Sequence, residues 1–322
     1  MQAQVLEIGA HTLELSPTHI LQPLIDKFLR SHDVSESSRL LYERTLRQFQ
    51  KWLEASDLQI HHIEQEHLIQ YKQYLFDQKL SDMTVASYLT SVRKLFSWLE
   101  SEGICRINIA KGIKGPKRYK GHKKDPLSIS QTKGMLETFD TSDIQGKRDF
   151  AIVNLLLRCG LRTLEVSNAN IGDFGQKYGK PVLWVLGKGH TEKDQYVILT
   201  PKIENAIDDY LIARGPVKPT DPLFTSHSRN SQGERLTARS ISAIAKTGIT
   251  DMLEGADSSR LTAHSLRHTA AVNHLRKNGG NIYATQLFMR HNDPSTTQIY
   301  LRTIEEELRF KNASEMSLDD VF

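Results

Sequence analysis

The chain has 322 residues, of which 39% are hydrophobic and 25% charged, with a formal net charge of +4. That length suits two domains, and the composition is that of a globular protein rather than of a disordered or fibrous chain. Two cysteines exclude a disulfide framework, no Cys/His spacing matches a zinc module, and apolar runs such as AIVNLLL fall far short of a membrane span. The first residues show no signal peptide, so a cytosolic protein is expected.

Residues 1–17 carry no sustained period and read as an N-terminal arm. Four helices are expected next. Ser16 and Pro17 supply an N-cap and a first-turn proline for the first. The second follows HDVSESS and carries Leu40, Leu41, Leu46, Phe49, Trp52 and Leu53 on a broad stripe, and the third covers about residues 65–78. The fourth starts behind Ser81 and Asp82, sets Val85, Tyr88, Leu89, Val92, Leu95, Phe96 and Leu99 at helical spacing, and ends at Gly103. Together they predict a small all-helical domain over residues 18–107. Its histidines His61, His62 and His67 read as surface residues.

Charge is unevenly spread. Between Arg106 and Lys124 stand eight Lys or Arg and no acid, whereas the tail from Ile304 to Phe322 is acid-rich. Residues 108–124, rich in Gly, Pro and Lys and without a hydrophobic period, read as an exposed basic linker. A second domain, residues 125–322, starts helically through SQTKGMLETFD and GKRDFAIVNLLLRCGL. The period then changes to two β-rich runs, PVLWVLGKG and QYVILT, about a charged turn. Helices resume at PKIENAIDDYLIA, ARSISAIAKTGITDML, AHSLRHTAAVNHLRKNG and NIYATQLFMRH. The expected fold class is mainly α with a small antiparallel β-sheet in the second domain.

Four stretches of that domain combine residues able to handle a phosphate. In RCGLRTLEV, Gly160 can end one helix and Arg162 start the next turn, with Glu165 three residues on and on the same face. Taken alone, this reads first as a weak surface ion pair. In VLGKGHTEKDQYVIL, Lys188 sits between two glycines at a hairpin turn; the phosphate-loop pattern GxxxxGK[ST] is not met, which disfavours nucleotide hydrolysis. In TAHSLRHTAAVNHL, His264 and Arg267 share a face, and the spacing is not that of a metal-binding HExxH. In MRHNDPSTTQIYLR, His291 precedes Tyr300 by nine residues across a polar turn, NDPSTT, and Tyr300 taken alone reads as a core aromatic.

Brought together, these groups have the chemistry of a phosphodiester site that needs no metal or other cofactor. Arginines present fixed bidentate charge to non-bridging oxygens, where charge gathers in the transition state. A tyrosine hydroxyl, with a pKa of about 10, attacks only in a cationic, hydrogen-bonding environment. A lysine can protonate the leaving oxygen, and histidines move protons near neutral pH.

The second domain resembles the catalytic domain of the tyrosine recombinases, the phage integrase family, of the simple Xer-like or mobile-element type. CGLRTLEV is similar to its first arginine box, GKG to its hairpin lysine, HSLRHT to its HxxR box, and RHNDPSTTQIY to its closing histidine and tyrosine. The helical first domain and basic linker resemble the family's core-binding domain, so the resemblance implies a two-domain, C-shaped clamp on DNA. It also implies catalytic roles for Arg162, Lys188, His264, Arg267, His291 and Tyr300, with Glu165 supporting them from behind. By the same resemblance Tyr300 attacks the scissile phosphate, Lys188 is the general acid, and four protomers exchange strands through a Holliday junction without ATP or metal. The short N-terminus leaves little room for a separate arm-site-binding domain. Two departures stand out: Arg290 occupies the place where many members have glycine, so its side chain must point away from the phosphate or contact DNA, and HTEKDQY is longer and less basic than the usual turn. His268 lies close to His264, but the HxxR register favours His264.

For partners, the resemblance implies double-stranded DNA recombination sites, with an accessory DNA-bending protein left open and no membrane. Candidate DNA contacts are Arg39, Arg44, Arg47 and Lys51 on the second helix, Arg93 and Lys94 on the fourth, and Lys114, Lys117, Arg118 and Lys120 in the linker. In the tail, from about residue 304, Leu308, Phe310, Met316, Leu318, Val321 and Phe322 stand among acids. Taken alone that segment reads as a frayed end; the resemblance implies instead that it docks on a neighbouring protomer of a tetramer, in keeping with apolar residues spaced through a polar tail. Two other readings stay open: a type IB topoisomerase that nicks and reseals one strand, and a DNA-binding accessory protein without activity.

Overall fold

The computed structural model describes residues 6–8, 11–13, 21–117, 125–187 and 189–315. The chain divides into two compact units, Met1–Tyr119 and Lys120–Phe322. Ser16, Pro17, Arg118, Lys120 and Lys188 lie outside the described residues, as does the tail beyond residue 315.

The first unit is built on four helices, α1 (Leu21–Ser31), α2 (Glu36–Ala55), α3 (Gln65–Asp77) and α4 (Asp82–Ser101). Serine hydroxyls start two of them: Ser35 accepts the N–H of Ser38 and Ser81 that of Thr84. The faces they turn inward carry Phe28, Leu46, Phe49, Tyr71, Leu89, Leu95 and Phe96, all buried. Each such side chain stabilises the fold by about 1.5–3 kcal/mol through removal from water. Phe49 meets Tyr71 edge-on at 4.8 Å, and one buried polar contact, Thr45 to Ser91 at 2.7 Å, joins α2 to α4. Leu40, expected on the apolar stripe, is exposed, because the buried face of α2 begins one turn later, at Thr45 and Leu46. The expected arm holds a short antiparallel pair, Leu6–Ile8 (β1) with His11–Leu13 (β2). Three-residue strands are too short to leave a period in the sequence.

In the second unit, α5 (Ile129–Glu137) leads to α6 (Ile144–Cys159), whose AIVNLLL run is buried on every side. That is why the run shows no polar face: α6 is the central helix, packed against α8 (Pro201–Arg214) and α10 (Ala263–Lys277). After α7 (Thr163–Ser167) comes an antiparallel sheet in the order β3 (Phe174–Lys177), β4 (Lys180–Val185), β5 (Gln195–Ile198). The two expected runs are β4 and β5. The strand β3 goes beyond them, closed onto β4 by Tyr178 and Gly179, both with positive φ. That is a two-residue hairpin turn, and its unusual first residue, tyrosine rather than Asn or Asp, hides it in the sequence.

Helices α9 (Ala238–Met252), α11 (Ile282–Met289) and α12 (Ser295–Glu315) complete the unit. The polar turn expected over NDPSTT is shorter than that. Asp293 accepts the Ser295 N–H at 2.9 Å and starts α12, so Thr296 and Thr297 are already helical. Thr297, Tyr300, Leu301 and Ile304 then recur at helical spacing and pack on α10 and α11 with Ala271, Val272, Leu275 and Met289. The side chains of Arg276 and Glu307 pair across α10 and α12. No described helix is long and apolar enough to cross a membrane.

Leu156 is fully buried in the last turn of α6. Leu156→Ala is expected to cost about 2–5 kcal/mol through lost transfer energy and the cavity left behind, measured by urea denaturation.

Candidate active site

Gly160 makes the first bend that the site needs. It ends α6 at φ 58°, ψ 34°, and a Cβ there would stand 2.9 Å from Met289 Sδ, so both conformation and space call for glycine. The bend delivers Arg162 to the N-cap of α7, where it and Glu165 hold each other. The Arg162 backbone N–H donates to Glu165 Oε2 at 2.8 Å, and Arg162 Nη1 donates to Oε1 at 2.7 Å. Glu165 is only 2% exposed, so the pair that reads from sequence as a weak surface contact is anchored in the interior.

Arg267 reaches the same carboxylate from α10. It is 3% exposed, stands 4.0 Å from Glu165 Oε2, and donates to the carbonyls of Gly160 and, at 2.7 Å, Met289. His264, one turn earlier, is exposed and lines an open cavity of about 680 Å³ together with Arg162, Thr262, Lys246 and Arg267. Partial desolvation, then the charges of Arg267 and Arg162, hold its imidazole below the ordinary histidine value.

Arg290 supplies a third guanidinium. Of the two courses open to it, away from the scissile phosphate or onto DNA, its side chain is turned onto Glu165, with Nη2 donating to Glu165 Oε2 at 2.9 Å and Nη1 to the Phe288 carbonyl at 3.1 Å. Its backbone ends α11 at φ 54°, ψ 49°, a conformation that costs a non-glycine residue about 1 kcal/mol or more. Burial works against the charge of Glu165. The charge of Arg290, the Arg162 N–H bond and the charges of Arg267 and Arg162 more than offset it, so the carboxyl lies below its ordinary range.

His291 follows directly. It is 8% exposed, its Nδ1 lies 2.9 Å from Thr297 Oγ1, and it lines a second cavity, about 220 Å³, with Arg162, Arg290, His190 and Asp293. Burial and the charges of Arg267, Arg162 and Arg290 push its pKa down to about 4, so the ring is neutral at pH 7. Tyr300, 2% exposed, stacks on His291 with ring centroids 6.0 Å apart and lies tilted on His268 at 5.1 Å. Burial raises the Tyr300 pKa, against the pull of Arg267 and Arg162.

Of the sequence candidates, then, Arg162, Glu165, Arg267, His291 and Tyr300 form one connected cluster, with His264 at its rim. Arg290, His268, Thr297 and His190 join them. The first two drew comment in the sequence only as a departure and a near-miss, and the other two only as parts of the stretches HTEKDQY and NDPSTT, because nothing in one-dimensional spacing brings a hairpin turn or a first-turn threonine to this place. His190 Nδ1 is held 2.8 Å from Asp194. Among the described residues no three His, Cys, Asp or Glu side chains converge as a metal-binding group. What the cluster offers is surplus positive charge beside a neutral imidazole and a phenol, an arrangement suited to a phosphate ester.

In the first unit, Arg44, Arg47 and Lys51 line a groove of about 390 Å³ with Leu40 and Tyr88, and Arg39 and Lys94 are exposed. Arg47 is paired with Glu43. Arg93 is committed internally, donating to the Ile113 carbonyl and the Thr90 hydroxyl, each at 3.2 Å. Lys114 and Lys117 are exposed.

The chain matches the model of the phage integrase family over residues 127–307 and that of the phage integrase N-terminal SAM-like domain over residues 25–103. It is 28% identical over 298 residues to a tyrosine recombinase XerD of Vibrio vulnificus, covering 90% of this chain and 92% of that one. It is also 28% identical over 290 residues to a tyrosine recombinase of Pseudothermotoga lettingae, covering 89% and 95%. Its fold is similar to that of the XerH site-specific recombinase bound to palindromic difH substrate, with TM-score 0.72 and 20% identity over 92% of this chain and 96% of that one. A lambda integrase dimer bound to a COC′ core site is similar at TM-score 0.69 and 13% identity, over 87% and 76%.

Because the folded His291 pKa is lowered to about 4, the unfolded chain binds a proton that the folded chain refuses between about pH 6.5 and 4. Stability is therefore expected to fall as pH drops through that window, by up to about 3 kcal/mol from this group. NMR titration of the imidazole should find its midpoint near 4, and in His291→Asn the pH slope of urea stability should flatten.

Proposed function

The chain belongs to the phage integrase family, and from that premise we propose that it is a site-specific DNA recombinase of the tyrosine type, acting through a covalent 3′-phosphotyrosyl intermediate. The observation that carries this reading is the buried Glu165, which gathers the guanidinium groups of Arg162 and Arg267 next to His291 and Tyr300. A site built that way stabilises the charge that develops on a phosphodiester under attack.

In the reaction, the Tyr300 oxygen bonds to the scissile phosphorus and the bond to the 5′-oxygen breaks. The phenol proton passes to a neighbouring imidazole or to water, and Lys188 protonates the departing 5′-hydroxyl. Arg162 and Arg267 hold the non-bridging oxygens, with His264 and His291 as further hydrogen-bonding partners. The ester energy stays in the phosphotyrosyl bond, so attack by a 5′-hydroxyl from a second duplex rejoins the strand without ATP or a metal ion. Two such rounds, by four protomers on two DNA sites, pass through a Holliday junction and integrate, excise or resolve the element concerned. Since Tyr300 is shielded in the free protein, DNA binding has to bring the phenol to the phosphate.

The two units, a core-binding domain and a catalytic domain, both bind the duplex. Arg39, Arg44, Arg47, Lys51 and Lys94 are exposed cations of the first, joined by the linker lysines; Arg93 contributes by holding α4 to the Ile113 segment. The acid-rich tail docks on the next protomer and links the four active sites. A soluble, nucleoid-associated protein is the cellular setting this function needs.

The substrate for the test is a nicked duplex carrying the site that footprinting identifies beside the protein's own coding region. The unsubstituted protein should give a detergent-stable adduct, undiminished in excess EDTA, and Tyr300→Phe should give none. An equal adduct in Tyr300→Phe would refute the nucleophile, and its loss in EDTA would point to a metal mechanism. Relaxation of plasmids lacking the site would instead favour a topoisomerase.

Deletion of the residues after Asn312 should weaken synapsis of two sites at least tenfold more than binding to one, read by gel shift. Equal losses, or none, would sink the docking of the tail.

A further inference from the structure

At residue 290 the backbone goes against local preference. Arg290 closes α11 in the left-handed region, which glycine enters freely and arginine only under steric strain. Its long side chain could have run out into water, yet only 6% of it is exposed. Nη2 lies 2.9 Å from Glu165 Oε2, Nη1 donates to the Phe288 carbonyl, and further contacts reach the carbonyls of Cys159 and Gly160 at 3.4 and 3.5 Å.

Glu165 has two oxygens to share. Arg162 holds Oε1, Arg290 holds Oε2, and Arg267 stands back at 4.0 Å. One carboxylate against three guanidinium groups leaves a surplus of two positive charges. If Arg290 were absent the surplus would be one, and Oε2 would be left to Arg267 and the Arg162 backbone N–H. The carboxylate would then draw on the very guanidinium groups that a phosphate must engage. A phosphodiester carries one negative charge, and attack by a phenolate adds a second at the same centre, so two surplus charges match the transition state better than one.

We propose that Arg290 is a positioning residue of strand cleavage: it takes up Oε2 of Glu165, so that the carboxylate does not draw Arg267 in and the remaining N–H groups of Arg162 and Arg267 stay available to the scissile phosphate. This rests on the recombinase reading above. Arg290 itself does not touch the DNA; it acts through Glu165.

His291 reports on this arrangement without any DNA. Its ring feels the charges of Arg267, Arg162, Arg290 and Glu165, shares a hydrogen bond with Thr297, stacks on Tyr300, and lines one cavity with Arg162, Arg290, His190 and Asp293. Removing the Arg290 charge should therefore let the His291 midpoint rise.

The test compares Arg290→Gly, Arg290→Lys, Glu165→Gln and the double variant Arg290→Gly with Glu165→Gln, in the full chain on the nicked duplex described above. Arg290→Gly should slow adduct formation about tenfold to a hundredfold, with affinity for the duplex changed less than about threefold, and raise the His291 midpoint in an NMR titration. Arg290→Lys should restore most of the rate. In the Glu165→Gln background the Arg290→Gly change should no longer matter, because the carboxylate it acts through is gone. An undiminished rate in Arg290→Gly overturns the proposal, as does an equal loss in the Glu165→Gln background, which would show Arg290 acting by another route. Should Arg290→Gly misfold, the Lys variant decides: the loss of most activity with a folded chain and a retained charge overturns the proposal too. If the unsubstituted protein forms no Tyr300-dependent adduct, the recombinase reading fails and this inference with it.

Discussion

A carboxylate with 2% of its surface exposed, as at Glu165, cannot stand alone, since an unpaired buried charge costs several kcal/mol. Its partners come from three separate places in the chain: the start of α7, the body of α10 and the end of α11. One negative charge thus fixes where three helices must meet. The reverse also holds, because three guanidinium groups this close would repel one another without it. A buried ion cluster is weak evidence for stability, and a set of aliphatic side chains could fill the same space. What aliphatic packing could not do is hold surplus positive charge in a fixed place.

The backbone takes part in the same arrangement. Arg267 donates to the carbonyls of Gly160, the C-cap residue of α6, and Met289, the last residue of α11. Carbonyls at a helix end lack intrahelical partners and carry the negative end of the helix dipole. A guanidinium placed there satisfies two helix ends at once and is held rigidly by them. Gly160 makes this possible, since a Cβ at that position would press on Met289. The fully buried α6 supplies the fixed platform from which the bend departs.

Much of this was open to reading in the sequence, and the reasons differ by feature. Helix-capping serines and stripes such as Val85 to Leu99 are local, so α2 and α4 could be read directly. The spacing of Arg162 and Glu165 predicted their contact, but not their burial, because burial is decided by what α10 and α11 bring from more than 100 residues away. Arg290 shows the limit best. Its type and position were plain as a departure, yet the expectation, away from the scissile phosphate or onto DNA, named no partner for it. The side chain turns inward because a buried acceptor, Glu165 Oε2, lies within its reach, and no one-dimensional pattern records that. The hairpin strand β3 and the helix α12 were hidden for simpler reasons: one has an atypical turn, and in the other Tyr300 serves the helix's apolar face as well as the motif.

That double service bears on how the site can work. Burial raises the Tyr300 pKa and keeps the phenol neutral, while burial and three arginines push His291 down to about 4 and keep it from taking a proton. At rest the cluster therefore holds a reluctant acid beside a reluctant base. A phosphodiester seated among the guanidinium groups would cancel part of the positive field on His291 and so raise its proton affinity. The same seating moves negative charge into a pocket with a surplus of positive charge. The groups would become competent for proton transfer only when the anion arrives, and the arginine field that keeps the empty site inert is the field that would favour the reaction once it is filled.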